Sequence, residues 1–398
     1  MSDAARAAEA AARASYGRLV AILAARSRDI TAAEDALAEA FAKALTTWPQ
    51  TGVPDKPDAW LLTTARNRLT DTQRRDSRLT AMEDAPEAEV PDMPDFEDHR
   101  LGLMFACAHP AIDRATHTPL MLQTVLGVEA RDLARAFALG EAAMAQRLVR
   151  AKTKIKKAGI PFTRPSADQL PPRRAAVCEA IYGAWSLDWM QAGDALGMEA
   201  FYLAQLVARL EPEHPEALGL VALIGFGLAR RDARLVNSVL VPLPEQDTTL
   251  WDQELIDGAA HTLGRAQAMG QIGRFQLEAA IQAVHAHRKA TGVTNWQAIA
   301  QLTGAVAQMF PTLGAAVSHA VAAAEAAGDP QAGLVRLSQI PAQMAQNFQP
   351  FWAARAHLSA QAGHLDDAQD AYFRAEELAA DAPTRAYLSG KRDKLRQS

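Results

Sequence analysis

Three features of the 398-residue sequence predict an all-α fold. Alanine, which costs least in a helix, is abundant from end to end. Runs of β-branched or aromatic residues, which favour strands, are scarce. Where patterning is clear, as in 141–157, apolar residues repeat at i, i+4, i+7 and i+11. A hydrophobic fraction of 49% allows a sizeable core, and the length suggests two or three domains. No apolar run approaches the roughly 18 residues of a membrane span. The opening "MSDAARAAEAAARASYGRL" has charges throughout and no apolar signal core, so export is not expected. Cys107 and Cys178 are too few for a disulfide framework, and a cytoplasmic location is expected.

The formal net charge of -5 conceals a strong asymmetry. Residues 1–78 carry +2, 79–98 carry -8, 99–165 carry +7 and 166–398 carry -6. A basic module beside an acidic tether points to a nucleic-acid partner. The same divisions mark the expected domains: helical modules at 1–78 and 99–165, a linker at 79–98 and a long helical extension at 166–398. The passage "LTAMEDAPEAEVPDMPDFED" (79–98) has three prolines, eight acids and no apolar period, so it reads as an extended tether.

In the first module, "AAEDALAEAFAKALTTW" places Leu37 and Phe41 at i,i+4 and Asp35 and Glu39 likewise. That helix has one apolar and one acidic stripe. A loop is expected at 46–58. In "AWLLTTARNRLTDTQRRDSR" (59–78), Trp60, Leu61 and Leu62 read as core anchors. Arg66, Arg68, Arg74 and Arg75 read as exposed cations, with Asn67 able to bond a base edge.

In the second module, "VEARDLARAFALGEAAMAQRLVRAK" reads as helix, turn, helix, with Leu133, Phe137 and Leu139 in the core and Gly140 in the turn. On the following helix, Met144, Leu148, Ala151 and Ile155 form a buried stripe. Arg147, Arg150, Lys154 and Lys157 form a second stripe, flanked by Lys152 and Lys156. No acid follows Glu141 until Asp168, so these like charges lack the internal compensation that solvated helix faces usually have. DNA would supply it, with Arg suited to guanine edges and Lys to phosphates.

In the extension, Gly363, Ala368, Tyr372 and Ala375 stand at the offsets of the second half of a tetratricopeptide repeat. Gly328, Gly333, Leu337 and Ile340 echo that spacing. An Ala-rich helical bundle is the alternative reading.

"RDLARAFALGEAAMAQRLVRAKTKI" resembles region 4 of RNA polymerase sigma factors of the extracytoplasmic-function group, through Arg147, Leu148, Arg150, Ala151 and Lys152 and through Asp132-Leu133-Ala134. The two stretches of the first module resemble region 2. Residues 55–71, 100–112 and 158–162 resemble a sigma subgroup with a large tetratricopeptide-like (TPR-like) extension. The resemblance implies a sigma region 2 helical bundle, a region 4 helix-turn-helix and a TPR-like helical-repeat domain. It further implies promoter DNA and core RNA polymerase, through the β′ clamp helices and the β flap, as partners. Asp35, Leu37, Glu39 and Phe41 would bind polymerase. Arg66, Asn67, Arg68, Arg74 and Arg75 would bind the -10 element. Gln146, Arg147, Arg150, Lys152, Lys154 and Lys157 would bind the -35 element. Glu141-Ala142-Ala143 stands where many relatives place a hydroxyl residue, so no side-chain N-cap is expected there. The acidic tether would follow the basic RNA-exit path or cover the region 4 helix. The extension would regulate the protein in cis and is the expected place for a further protein or ligand partner.

No catalysis, metal or cofactor is expected. Cys107 and His109 are too few for zinc, and Cys107 reads as a packing residue. His285 and His287 fall on opposite sides of a helix. No Walker loop or GxGxxG is present. Trp185, Trp189, Trp251, Trp296 and Trp352 read as core fillers. Two rival functions remain open at this level: a helix-turn-helix regulator fused to a repeat scaffold and acting without polymerase, and a pure interaction scaffold.

Overall fold

The computed structural model describes residues 3–79, 98–191 and 195–396. Nearly all of the tether lies outside these, as do the side chains of Arg75 and Trp189. The chain forms two compact units, 1–184 and 185–398. The all-α expectation holds: helices dominate both units, and among the described residues strand occurs in one short hairpin.

The first unit contains α1 (Asp3–Ser27), α2 (Ile30–Thr51), α3 (Pro57–Leu79), α4 (His99–Cys107), α5 (Arg114–Leu126), α6 (Ala130–Ala136) and α7 (Glu141–Lys157). Asp29 starts α2 by accepting the Ala32 N–H, and Asp113 starts α5 by accepting the Ala115 N–H. Such caps satisfy donors that a helix end leaves unpaired. Helix α1 packs against α2, α3, α4 and α5. At its crossing with α5, a Cβ on Gly17 would lie 1.7 Å from the Val125 carbonyl oxygen, so only glycine fits. Helix α4 is buried along its length from Arg100 to Cys107. Asp98 caps it and also pairs with the buried Arg100 at 2.6 Å, which keeps that charge compensated. The modules expected at 1–78 and 99–165 therefore pack together in one unit. Helix α8 (Leu170–Gln191) crosses the division between the units.

The expected loop at 46–58 is shorter than its sequence suggested. Helix α2 runs through Pro49 to Thr51, leaving only Gly52–Lys56 outside regular structure. Trp48 is buried and meets Trp60 edge to face at 5.5 Å, so these aromatics belong to the packing of α2 on α3. Leu61 is fully buried, whereas Trp60 and Leu62 are only half-buried.

The second unit begins with α9 (Ala195–Leu210) and α10 (Pro215–Leu228). A hairpin of β1 (Leu235–Val236) and β2 (Val239–Leu240) follows, turning through Asn237 and Ser238 at positive φ. Then come α11 (Gln253–Ala268), α12 (Arg274–Ala286), α13 (Arg288–Thr291), α14 (Trp296–Met309) and α15 (Leu313–Ala327). The unit ends with α16 (Pro330–Ser338), α17 (Ala342–Ala345), α18 (Gln349–Gln361), α19 (Leu365–Glu377) and α20 (Ala382–Leu395). Helix α10 is the centre, buried from Pro215 to Gly227 apart from Glu216 and packed on α9, α11 and α12. Glu216 accepts the Phe275 and Gln276 N–H groups, capping α12 from a distant helix. From α14 onward, neighbouring helices pack in chain order. Helix α20 returns to β2, and Lys391 pairs with Glu245 at 2.7 Å.

The small residues singled out in the extension have physical work. A Cβ on Gly333 would come within 2.8 Å of the Ala324 and Leu358 side chains. Gly328 and Gly363 turn the chain at φ of 63° and 79°. Ala368, Tyr372 and Ala375 are buried between α18, α19 and α20. Trp251 is buried, while Trp185, Trp296 and Trp352 are half-buried.

Candidate nucleic-acid and polymerase interface

Helices α6 and α7 form the helix-turn-helix of the first unit. Leu133 and Ala134 anchor α6. The turn passes through Ala138 at φ 51°, and the Leu139 N–H bonds the Ala134 carbonyl at 2.8 Å. Phe137, expected in the core, is 37% exposed, because α6 ends before it and the turn carries it outward. Gly140 precedes α7 without a side-chain cap, as the missing hydroxyl implied.

Met144, Leu148, Ala151 and Ile155 are all buried, so the 3.6-residue period read from the sequence is the packing face. Gln146, Arg150, Lys154 and Lys157 are exposed, and Arg147 is half-buried. Val149, Arg150, Thr153, Lys154, Lys157 and Ala158 line a shallow, open depression. At 1.5 Å per residue, the cationic edge from Arg147 to Lys157 runs about 15 Å.

Lys152 departs from its expected role on DNA. It is only 8% exposed, and its ammonium lies 2.7 and 2.6 Å from the two carboxylate oxygens of Glu34 on α2. Lys156 extends this contact, reaching Asp29 at 2.7 Å. The Glu34 carboxyl lies above its ordinary value: burial raises it most, Lys152 lowers it, and Asp35 and Asp29 raise it further. Beneath the pair, burial pushes the Cys107 thiol up to about 12 while its sulfur meets the Thr124 hydroxyl. Cys107 is thus an unreactive packing residue.

On α2, Asp35 and Glu39 are exposed and Phe41 is half-buried. Leu37 is fully buried, so it holds α2 in the unit and presents no docking surface. On α3, Arg66, Asn67 and Arg74 are exposed and Arg68 is half-buried. Arg68 pairs with Glu39 at 2.5 Å, joining one residue expected on DNA to one expected on polymerase. The Arg68 and Glu39 side chains are 39% and 54% exposed, so solvent screens the pair and it is easily exchanged. The Lys152–Glu34 and Arg68–Glu39 pairs escaped sequence reasoning because their members stand 118 and 29 positions apart.

No residue set for a metal occurs among the described residues. No helix among them is long and apolar enough to cross a membrane.

Comparison with known proteins agrees with this geometry. The sigma-70 region 2 family model matches residues 12–79, covering α2 and α3 and most of α1. A family of unknown function (DUF6596) matches residues 173–267, from α8 into α11. An uncharacterized protein (R00370) of Rhizobium meliloti strain 1021 is 34% identical over 386 residues, spanning 92% of this chain and 91% of its own length. No solved structure matches. The chain therefore belongs to one family with the Rhizobium protein and, through its region 2 domain, is a sigma-70 family member.

Proposed function

We propose that the protein is an alternative sigma factor of the extracytoplasmic-function group, directing core RNA polymerase to promoters and regulated through its TPR-like extension. The observation that carries this reading is a sigma-70 region 2 domain in one compact unit with a helix-turn-helix whose second helix exposes Arg150, Lys154 and Lys157 along one edge. Asp35, Glu39 and Phe41 on α2 meet the polymerase β′ clamp helices. Arg66, Asn67, Arg68, Arg74 and Arg75 on α3 hold the opened -10 strand. Gln146, Arg147, Arg150, Lys154 and Lys157 face the -35 duplex, while the 99–165 module docks at the β flap. Phosphate contacts give affinity and salt sensitivity, and the few base-edge contacts give specificity.

This reading requires the 1–78 and 99–165 modules to separate. A compact unit of residues 1–184 has a radius of gyration of about 16 Å, hence a width of about 40 Å. Promoter elements about 25 base pairs apart lie about 85 Å apart at 3.4 Å per base pair. One closed unit cannot touch both. At about 3.3 Å per residue, the 79–98 passage reaches about 65 Å and can carry the second module outward. Polymerase, by binding each module at its own site, supplies the differential affinity that favours the open form.

Run-off transcription from a supercoiled promoter library tests the proposal, using core polymerase with and without the protein. Protein-dependent transcripts sharing upstream sequences support it. Absence of both transcripts and polymerase binding refutes it. Truncation after Arg164 then tests the extension: unchanged promoter activity argues against regulation in cis.

A further inference from the structure

The second unit buries a positive charge that the transcription reading does not use. Arg230 follows α10 and is only 3% exposed. Its Nη2 donates to Gln282 Oε1 at 2.5 Å, while Nε and Nη1 are buried with no hydrogen-bond partner. His285 lies three residues beyond Gln282 on α12, and Arg288 opens α13. Arg288 sits over the Trp251 ring at 5.1 Å and donates to the Leu243 and Gln246 carbonyls at 3.0 and 2.9 Å. Lys289 donates to the Trp251 carbonyl at 2.5 Å.

The nearby acids are committed elsewhere. Asp232 meets Arg231 at 3.5 Å, Glu245 pairs with Lys391, Asp247 caps at Thr249, and Asp252 caps α11. Among the described residues, neither Arg230 nor Arg288 has a carboxylate partner. A buried, unpaired charge strongly destabilises a fold. Its electrostatic mark is visible in the neighbours. Burial, with Arg288 adding repulsion, lowers Arg230 to about 10. His285 falls to about 4, through burial first and then Arg230 and Arg288.

We propose that Arg230, with His285 and Arg288 near it, binds a small oxyanion: the phosphate or carboxylate group of a ligand. Guanidinium is suited to both, because its planar donors match their oxygens. An anion placed there would satisfy the orphan donors and offset the repulsion between the two arginines. Arg230 falls within the segment matched by the family of unknown function, and His285 and Arg288 lie beyond it. The site is independent of the sigma-factor reading.

The test uses the full chain titrated with inorganic phosphate, with acetate, and with sodium chloride at matched ionic strength. Two readouts are followed: the melting temperature, and the His285 titration by nuclear magnetic resonance. Binding raises the melting temperature saturably. It also moves the His285 pKa upward from about 4, because the anion offsets both arginines. A response to phosphate alone identifies a phosphoryl ligand, and one to acetate alone a carboxylate ligand. Arg230→Met should weaken binding by about tenfold or more, as expected for loss of charge-assisted hydrogen bonds. Should that variant not fold, the His285 titration of the unaltered protein still decides. No response beyond that to chloride, or an undiminished response in Arg230→Met, overturns the proposal.

Discussion

The contact of α7 with α2 is the first place to perturb. Removing one partner of a buried ion pair typically costs about 3–5 kcal/mol, because the other charge stays buried and alone. Here the Lys152 side chain is 9% exposed and that of Glu34 18%, so the lower end applies, about 3 kcal/mol for Lys152→Ala. At 1.36 kcal/mol per factor of ten, that shifts the closed-to-open ratio by about 150-fold. The paired replacement Glu34→Leu with Lys152→Met acts oppositely. Burial, joined by the Asp35 and Asp29 charges, leaves the Glu34 carboxyl raised despite Lys152, so keeping it ionised at this contact carries a cost. Apolar substitutes of similar volume should therefore hold α7 on α2 as well or better. Spin labels at Ala38→Cys and Val149→Cys, both exposed, report the distance by pulsed electron resonance. Buried Cys107 and Cys178 stay unlabelled. Lys152→Ala should lengthen the distance and raise affinity for core polymerase, and the paired replacement should do neither. Identical distances and affinities in all three proteins would refute the reasoning.

Gly17→Ala should lower the melting temperature of the first unit. The added Cβ would meet the Val125 carbonyl at 1.7 Å, and separating α1 from α5 should cost about 2–3 kcal/mol despite alanine's better helix propensity. Arg150→Ala and Lys157→Ala should each reduce the salt slope of duplex binding by about one, and Lys152→Ala should leave that slope unchanged, as fluorescence anisotropy across salt would show. Stability of the second unit should depend on His285. Between its usual 6.5 and about 4, the unfolded chain binds a proton there that the folded chain does not. That contribution is full above pH 6.5 and falls by up to about 3 kcal/mol as pH drops toward 4. Urea unfolding across this range should show the loss, and His285→Gln should flatten it.

What the sequence determined by itself was local and periodic. The alanine-rich composition specified helices. The spacing of Met144, Leu148, Ala151 and Ile155 specified the inner face of α7, because 3.6 residues per turn depends on nothing beyond the helix itself. Gly328 and Gly363, read from the sequence as repeat positions, turn the chain in the structure, where a residue without a Cβ takes such φ angles freely. Which way a particular side chain faces was decided by neighbours far away in the chain. Leu37 and Phe41 look equivalent at i,i+4, yet Leu37 is in the core and Phe41 is half-exposed. Lys152 looks like the other cations of α7, yet it is buried, because Glu34 waits 118 positions earlier. Nothing in "LARRDARLVN" distinguishes Arg230 from Arg231, yet only Arg230 is buried. Lys152 leaves water beside the carboxylate that the assembled fold supplies, and Arg230 leaves it with Nε and Nη1 unmatched; both placements are tertiary facts, because burial is set by residues distant in the chain.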